Sequence, residues 1–173
     1  PRLLLRRVLF PSDFMRKEFK QAGIPSTEGR VVFGAVDTTP YLEGKQLPKT
    51  SDVVSLLYVG RLTHEKGAHT AIEAVSQLVK KNGIKHLKLT IVGDGEADYL
   101  DSLHKTVERD SLSSFVTFLP AQPKESLPAL YRQSDLFLFT SSWQEPFGRV
   151  IVEAMASGMA VVGTAVGGAA EIL

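Results

Sequence analysis

The chain has 173 residues, of which 43% are hydrophobic and 23% charged, which is enough apolar material for one buried core or slightly more. Twenty Lys and Arg residues against nineteen Asp and Glu residues leave a net charge of +1, which offers no broad field for nucleic acid or an anionic membrane. The absence of cysteine excludes disulfides and thiolate metal sites, and no apolar run approaches the roughly 20 residues that cross a bilayer. We expect a cytoplasmic protein.

The first fifty residues differ in pattern from the rest. The stretch "FPSDFMRKEFKQAGIP" (10–25) predicts the end of a strand, then a helix capped by Ser12 or Asp13 that stops at Gly23. "RVVFGAVD" (30–37) predicts a short strand and a turn, and the turn-forming stretch "TTPYLEGKQLPKTSD" (38–52) predicts a linker. We expect the chain to be a fragment, because it opens on a proline and its last residues begin an uncapped helix.

From residue 55 onward, short β-branched or aromatic runs alternate with longer helical patterns. The predicted strands are "SLLYVG" (55–60), "LKLTIVG" (87–93), "FVTFLP" (115–120), "LFLFTS" (136–141) and "MAVVGT" (159–164). The predicted helices are "AHTAIEAVSQLVKKNG" (68–83), "ADYLDSLHKTVERD" (97–110), "KESLPALYRQS" (124–134) and "GRVIVEAMASG" (148–158). This alternation predicts an α/β fold, a Rossmann-like parallel sheet with helices on both faces.

Ligands of such sheets bind beyond the carboxyl ends of the strands, so the segment after each strand is a candidate site. After the first strand, "GRLTHEKG" (60–67) combines Gly60, which lets the backbone turn closely, with the cations Arg61 and Lys66. A planar guanidinium, a mobile ammonium and the positive end of the next helix suit a diphosphate. A solvated loop is the alternative, because exposed Lys and Arg are common.

After the second strand, "IVGDGEAD" (91–98) carries Gly93 and Gly95 in the spacing of a dinucleotide-binding loop. Asp98 stands where that loop needs a third small residue, so an NAD-type pyrophosphate site is not expected. A tight turn beside some other ligand and a purely structural turn both remain open.

After the fourth strand, "TSSWQEPFGRVIVEAMASG" (140–158) places two glutamates eight positions apart. Pro146 suits a first helical position, so we expect Glu145 at the helix mouth and Glu153 two turns inside. A carboxylate among the apolar residues around Glu153 needs a partner or a ligand. The amides between the glutamates are free donors at a positive helix end, those of Phe147, Gly148 and Arg149. The order of carboxylate, free amides and second carboxylate matches the sugar, diphosphate and ribose of a nucleotide sugar.

These segments resemble the carboxyl-terminal, donor-binding half of the retaining glycosyltransferases with the GT-B fold (glycosyltransferase group 1, family 4), which include glycogen and sucrose synthases and bacterial mannosyltransferases. The resemblance rests on "FPSDFMRKEF", "VVFGAVDTTPY", "LLYVGRLTHEKG", "LTIVGDG", "LPALYRQSDLFLFTSSWQEPFGRVIVEAMASGMAVVGT" and "VGGAAEIL". Its most specific part is the glutamate pair followed by "EAMASG". The resemblance implies that residues 1–50 end an amino-terminal domain and form the linker, and that 51–173 are a donor-binding domain truncated at its C-terminus.

The resemblance also assigns roles to residues. Arg61 and Lys66 bind the donor diphosphate and stabilise the departing nucleotide, Glu145 lies beside the donor sugar and the reacting centre, and Glu153 binds the ribose hydroxyls. The remaining donor-binding positions are Gly60, Gly93, Phe147, Gly148, Arg149 and Val150, with the base near Gly93.

The activity so implied is transfer of a sugar from a nucleotide diphosphate sugar to an unknown acceptor with retention of configuration. No metal and no cofactor are implied, because cations and a helix end can stabilise the leaving diphosphate. The acceptor would bind through the missing amino-terminal domain, nucleic acid is not an expected partner, and peripheral membrane association is expected only of the full-length protein. We expect the fragment alone to be inactive. Two alternatives are a GT-B sugar-nucleotide epimerase and a nucleotide-binding module without turnover.

Overall fold

The computed structural model describes residues 8–23, 29–43 and 52–173 of the chain. Two short strands near the amino terminus, β1 (Val8–Phe10) and β2 (Gly29–Val31), pair in parallel as a sheet of their own. The larger sheet has five strands: β3 (Val54–Val59), β4 (Leu87–Val92), β5 (Val116–Leu119), β6 (Leu136–Phe139) and β7 (Ala160–Gly163). Their order is β5-β4-β3-β6-β7 and every pairing is parallel. The predicted parallel α/β sheet is therefore confirmed.

The helices are α1 (Asp13–Gln21), α2 (Thr39–Leu42), α3 (Ala68–Lys80), α4 (Ala97–Arg109), α5 (Leu127–Arg132) and α6 (Arg149–Ala156). Two 3₁₀ helices cover His64–Lys66 and Gly167–Glu171. Ser12, one of the two predicted caps, is the N-cap of α1 and accepts a hydrogen bond from the Met15 amide. Within the described ranges, no helix is both long enough and apolar enough to span a bilayer.

The core lies on both faces of the five-stranded sheet, because successive side chains of a strand point to opposite faces. On β3, Leu56 and Tyr58 belong to one buried cluster and Leu57 to the other. The first cluster packs α3 and α4 against the sheet, with Ile72 fully buried. The second packs the short helices α2, α5 and α6 against the other face, with Ile151 fully buried.

The stretch predicted as a linker contains more structure than its turn-forming residues indicate. Thr39–Leu42 form α2, and the side chain of Tyr41 is 1% exposed in the second cluster. The ring of Tyr41 meets that of Tyr131 edge to face at 5.5 Å. The described part of this stretch therefore packs against the sheet domain, while residues 44–51 lie outside the described ranges.

Candidate active site

A cavity of about 370 Å³ opens at the carboxyl ends of β3 and β6. Two loops supply most of its polar lining: residues 60–67, which we call the basic loop, and residues 140–148, the glutamate loop. Eight of the predicted site residues line this cavity, namely Gly60, Arg61, Lys66, Glu145, Phe147, Gly148, Arg149 and Val150. The expectation that the segments after the first and fourth strands of this sheet share one edge is thus confirmed.

Backbone hydrogen bonds join the two loops directly. The carbonyl of Glu65 accepts from the amides of Ser142, at 2.8 Å, and Trp143, at 3.2 Å. From the same loop, the Thr140 hydroxyl donates to the carbonyl of Gly67 at 2.7 Å. Donors of the glutamate loop thus satisfy carbonyls of the basic loop, so these bonds hold the two loops together in addition to their charged side chains.

Lys66 and Glu145 form an ion pair across the cavity, although they are 79 positions apart in the sequence. Their side chains are only 16% and 13% exposed. The Ser141 hydroxyl donates to the same carboxylate oxygen at 3.2 Å. Beneath the pair, the Tyr58 hydroxyl donates to the Lys66 carbonyl at 2.9 Å, and burial raises the pKa of Tyr58 so that it keeps its proton. Two of the predicted catalytic residues are therefore held together before any ligand binds.

The charge of the cavity favours an anion. Arg61 and Arg149 are exposed at its surface, so three cationic side chains face a single carboxylate among the lining residues. That carboxylate is already paired with Lys66. Two guanidinium groups remain for a ligand, and their planar donors match phosphate oxygens.

Helix α6 begins at Arg149, one residue after the start of the predicted helix 148–158, so that helix is confirmed, whereas Pro146 does not take the first helical position. The reason is tertiary: the Glu145 carbonyl accepts from the Gly168 amide at 2.6 Å, and the Pro146 carbonyl accepts from the Ser12 hydroxyl at 2.6 Å. These bonds hold both carbonyls outside the helix. Glu145 therefore lies in the glutamate loop and not at the helix mouth.

The turn into α6 leaves donors free at the cavity. Gly148 is the N-cap with φ of 97°, a left-handed conformation that favours glycine. Within the described residues, no acceptor bonds the amides of Phe147, Gly148 or Arg149. Free amides at the positive end of a helix suit an anion, as the sequence predicted.

Glu153 lies apart from this lining, on the buried side of α6. Its side chain is 6% exposed and accepts a hydrogen bond from the Tyr131 hydroxyl at 3.1 Å. Burial raises the pKa of Glu153, while the bond from Tyr131 and the charge of Arg149 oppose the rise. The partner that sequence reasoning required for this carboxylate is thus a tyrosine of α5. The apolar surroundings signalled that a partner was needed but not which residue it was.

A second hydroxyl lies buried in the same cluster. The Tyr41 hydroxyl lies close to the Glu153 carboxylate, although within the described part of the chain no hydrogen bond of normal geometry joins it to a partner. Burial and the nearby charge of Glu153 raise the pKa of Tyr41 to about 12. Sequence reasoning missed Tyr41, because its segment reads as a string of turn formers.

A smaller cavity of about 210 Å³ lies beside the first and shares Gly60 and Arg61 with it. Gly93, Asp94 and Gln122 also line it, which places Gly93 next to the predicted site. A β-carbon on Gly93 would lie 1.9 Å from the Gly60 carbonyl oxygen, so the close approach of the two turns requires glycine. The turn at Gly93 is therefore structural and also lies beside a cavity. In the ranges described, no three His, Asp or Glu side chains group as a metal site would require.

Solved structures share this architecture. Anabaena Alr3699/HepE in complex with UDP and glucose matches with a TM-score of 0.81 and 30% identity, over 96% of this chain and 46% of that chain. Sucrose-phosphate synthase from Thermosynechococcus elongatus matches with a TM-score of 0.75 and 26% identity, over 94% of this chain and 41% of that chain. The fold is that of the Rossmann-like domains of GT-B glycosyltransferases.

Sequence comparison gives the family. Residues 43–173 match the family model of the glycosyl transferases group 1. Spore coat protein SA of Bacillus subtilis is 33% identical over 128 residues, which are 68% of this chain and 32% of that protein. A D-inositol 3-phosphate glycosyltransferase of Nocardia farcinica is 36% identical over 114 residues, 64% of this chain and 25% of that protein. The chain belongs to the group 1 glycosyltransferases, and it spans a third or less of these two relatives.

Proposed function

We propose that this chain is the carboxyl-terminal, donor-binding half of a retaining glycosyltransferase of family 4. Residues 1–50 would contribute the end of the amino-terminal domain and the linker, and 51–173 the donor-binding domain. The observation that carries the proposal is the cavity between the two loops, where cations and free amides surround one paired carboxylate. A nucleotide diphosphate sugar offers the two charged phosphates that such a cavity would bind.

Different residues bind different parts of the donor. Arg61, Lys66 and the free amides at the start of α6 bind the diphosphate, and Glu145 lies against the sugar. The base occupies the smaller cavity at Gly93. Glu153, one turn along α6 from the lining residues Arg149 and Val150, binds the ribose through the carboxylate oxygen that Tyr131 does not contact. Structures of the Anabaena protein contain UDP, UDP-glucose, or UDP with glucose, which supports a UDP sugar as the first donor to test.

The reaction breaks the bond between the anomeric carbon and a diphosphate oxygen. The acceptor oxygen bonds the anomeric carbon on the same face, and its proton passes to the leaving diphosphate. Arg61 and Lys66 stabilise the charge that develops on the leaving group, and no metal or cofactor takes part.

The other partners of the reaction lie beyond this chain. The acceptor binds through the amino-terminal domain of a longer, cytoplasmic protein, and any membrane association of that longer protein is peripheral. The chain alone binds donor without sustained turnover, because one wall of the reacting cleft is absent.

Thermal unfolding with a panel of nucleotides tests this function. UDP, GDP, ADP and their glucose forms are each added to the purified chain, with the free nucleosides as controls. A ligand at 100 times its dissociation constant stabilises the folded state by about 2.7 kcal/mol. For a chain of this size the melting temperature rises by about 5 to 11 °C. The proposal predicts such a rise for one diphosphate series and little for its nucleoside, and it fails if no nucleotide raises the melting temperature.

A further inference from the structure

The amino-terminal helix α1 begins against the glutamate loop. Its N-cap, Ser12, is fully buried, and its hydroxyl makes two hydrogen bonds at once. It accepts from the Met15 amide at 3.2 Å and donates to the Pro146 carbonyl at 2.6 Å. A hydroxyl can do both, since it carries one donor and two acceptor lone pairs. The residue that caps α1 therefore also binds the loop that carries Glu145.

The 3₁₀ helix Gly167–Glu171 contacts the same two elements. The carboxylate of Glu171 accepts from the amides of Asp13 and Phe14, at 2.9 and 2.7 Å, in the first turn of α1. The amide of Gly168 donates to the Glu145 carbonyl. Helix α1 and the glutamate loop are thus joined both directly, through Ser12, and through this 3₁₀ helix.

Helix α1, the glutamate loop and the 3₁₀ helix are closely packed where they meet. A β-carbon on Gly168 would lie 2.3 Å from the Pro146 carbonyl oxygen and 2.7 Å from the Ser12 hydroxyl oxygen. Two successive carbonyls, those of Glu145 and Pro146, are therefore held by donors from two different elements in a closely packed region. Such a peptide segment has little freedom to rotate.

The bond from Ser12 has a geometric consequence for the cavity. The carbonyl of Pro146 and the amide of Phe147 belong to one planar peptide unit, and no described peptide bond is cis. In a trans unit the two groups point in opposite directions, so fixing the carbonyl toward Ser12 directs the Phe147 N–H away from it. Phe147 lines the cavity, and its amide has no acceptor within the described residues.

We propose that Ser12 is a positioning residue for donor binding, which directs the Phe147 amide at the donor phosphates by holding the Pro146 carbonyl. This inference rests on the proposed function. It assigns a role at the donor site to a residue 133 positions before Glu145, in a segment outside the matched family region. Ser12 touches no donor group itself and acts only through the peptide unit it binds.

The test compares three variants of the purified chain by titration calorimetry with UDP and with uridine. In Ser12→Ala we expect UDP to bind at least fivefold more weakly and uridine to bind within twofold of the wild type. Glu171→Ala also loosens the start of α1 but leaves the Ser12 hydroxyl in place. The ratio of UDP affinity to uridine affinity in this variant should therefore stay within twofold of the wild-type ratio. Ser102→Ala is the matched surface control, since that hydroxyl is exposed and donates within its own helix.

Amide hydrogen exchange without ligand tests the anchoring separately. The Gly168 amide, bonded to the Glu145 carbonyl, should exchange at least fivefold faster in Ser12→Ala, with the β4 amide of Ile91 unchanged. If UDP affinity in Ser12→Ala equals that of the wild type, or if UDP and uridine lose affinity equally, the positioning role is wrong. If the wild type binds no nucleotide while the exchange result holds, the proposed function fails and the anchoring of the loop stands.

Discussion

Removing one partner of the ion pair between Lys66 and Glu145 should destabilise the protein even without ligand. The side chains of Lys66 and Glu145 are only 16% and 13% exposed, so the charged group that remains after one is replaced would be poorly solvated. Losing one partner of a fully buried pair costs about 3 to 5 kcal/mol, whereas an exposed pair contributes about 0 to 1 kcal/mol. For this intermediate case we expect Lys66→Met to cost about 2 kcal/mol. That corresponds to a fall of about 4 to 8 °C in melting temperature for a chain of this length.

The assay is a double-mutant cycle followed by thermal and urea unfolding. It compares Lys66→Met, Glu145→Gln and the double variant, which removes both charges and should recover at least about 1 kcal/mol of the summed losses. Lys105→Met is the control, because its pair with Asp101 is 72% and 60% exposed and should contribute little. If the two single losses add to the double loss within about 0.5 kcal/mol, the ion pair does not hold the loops together and the reasoning fails.

Two further predictions concern Glu153 and Gly93. Burial raises the pKa of Glu153, so the stability contributed by this group is present below the unfolded-state pKa of about 4 and lost as pH rises through the folded-state value. The melting temperature of Glu153→Gln, measured relative to that of the wild type, should therefore rise between pH 4 and pH 7. A difference in melting temperature between the two proteins that stays constant over this range contradicts a raised pKa of Glu153. Gly93→Ala should lower the free energy of unfolding by about 1 to 3 kcal/mol and weaken UDP binding, because its β-carbon meets the Gly60 carbonyl. Urea unfolding and calorimetry check this, and unchanged values for both would contradict the close approach.

The sequence predicts the sheet well because its strands are short apolar runs separated by helical patterns. All five predicted strands overlap observed ones, with ends that differ by at most two residues. Strands buried on both faces are near-continuous apolar runs, so β6 and most of β3 are recognisable without knowledge of their neighbours. The loops after them could be selected as a site for the same reason, because a parallel sheet presents its carboxyl ends on one edge.

The features that sequence reasoning missed depend on contacts between distant segments. Helix α2 has only four residues, and burial of Tyr41 rather than helix propensity accounts for its position. The exclusion of Glu145 and Pro146 from α6 depends on bonds from Gly168 and Ser12, which no local rule includes. The contact of Lys66 with Glu145 could be expected only once the order of the strands was known.

The central claim is that the cavity between the basic and glutamate loops binds the diphosphate of a sugar nucleotide. Titration calorimetry of Arg61→Met with UDP and with uridine tests it most directly, because Arg61 is exposed and its loss should leave the fold intact. Arg109→Met, on the exposed end of α4, is the control. We expect at least about a tenfold loss of UDP affinity, or about 1.4 kcal/mol, with uridine binding within twofold of the wild type. Equal losses for UDP and uridine, or no loss for either, would contradict a diphosphate site at this edge of the sheet.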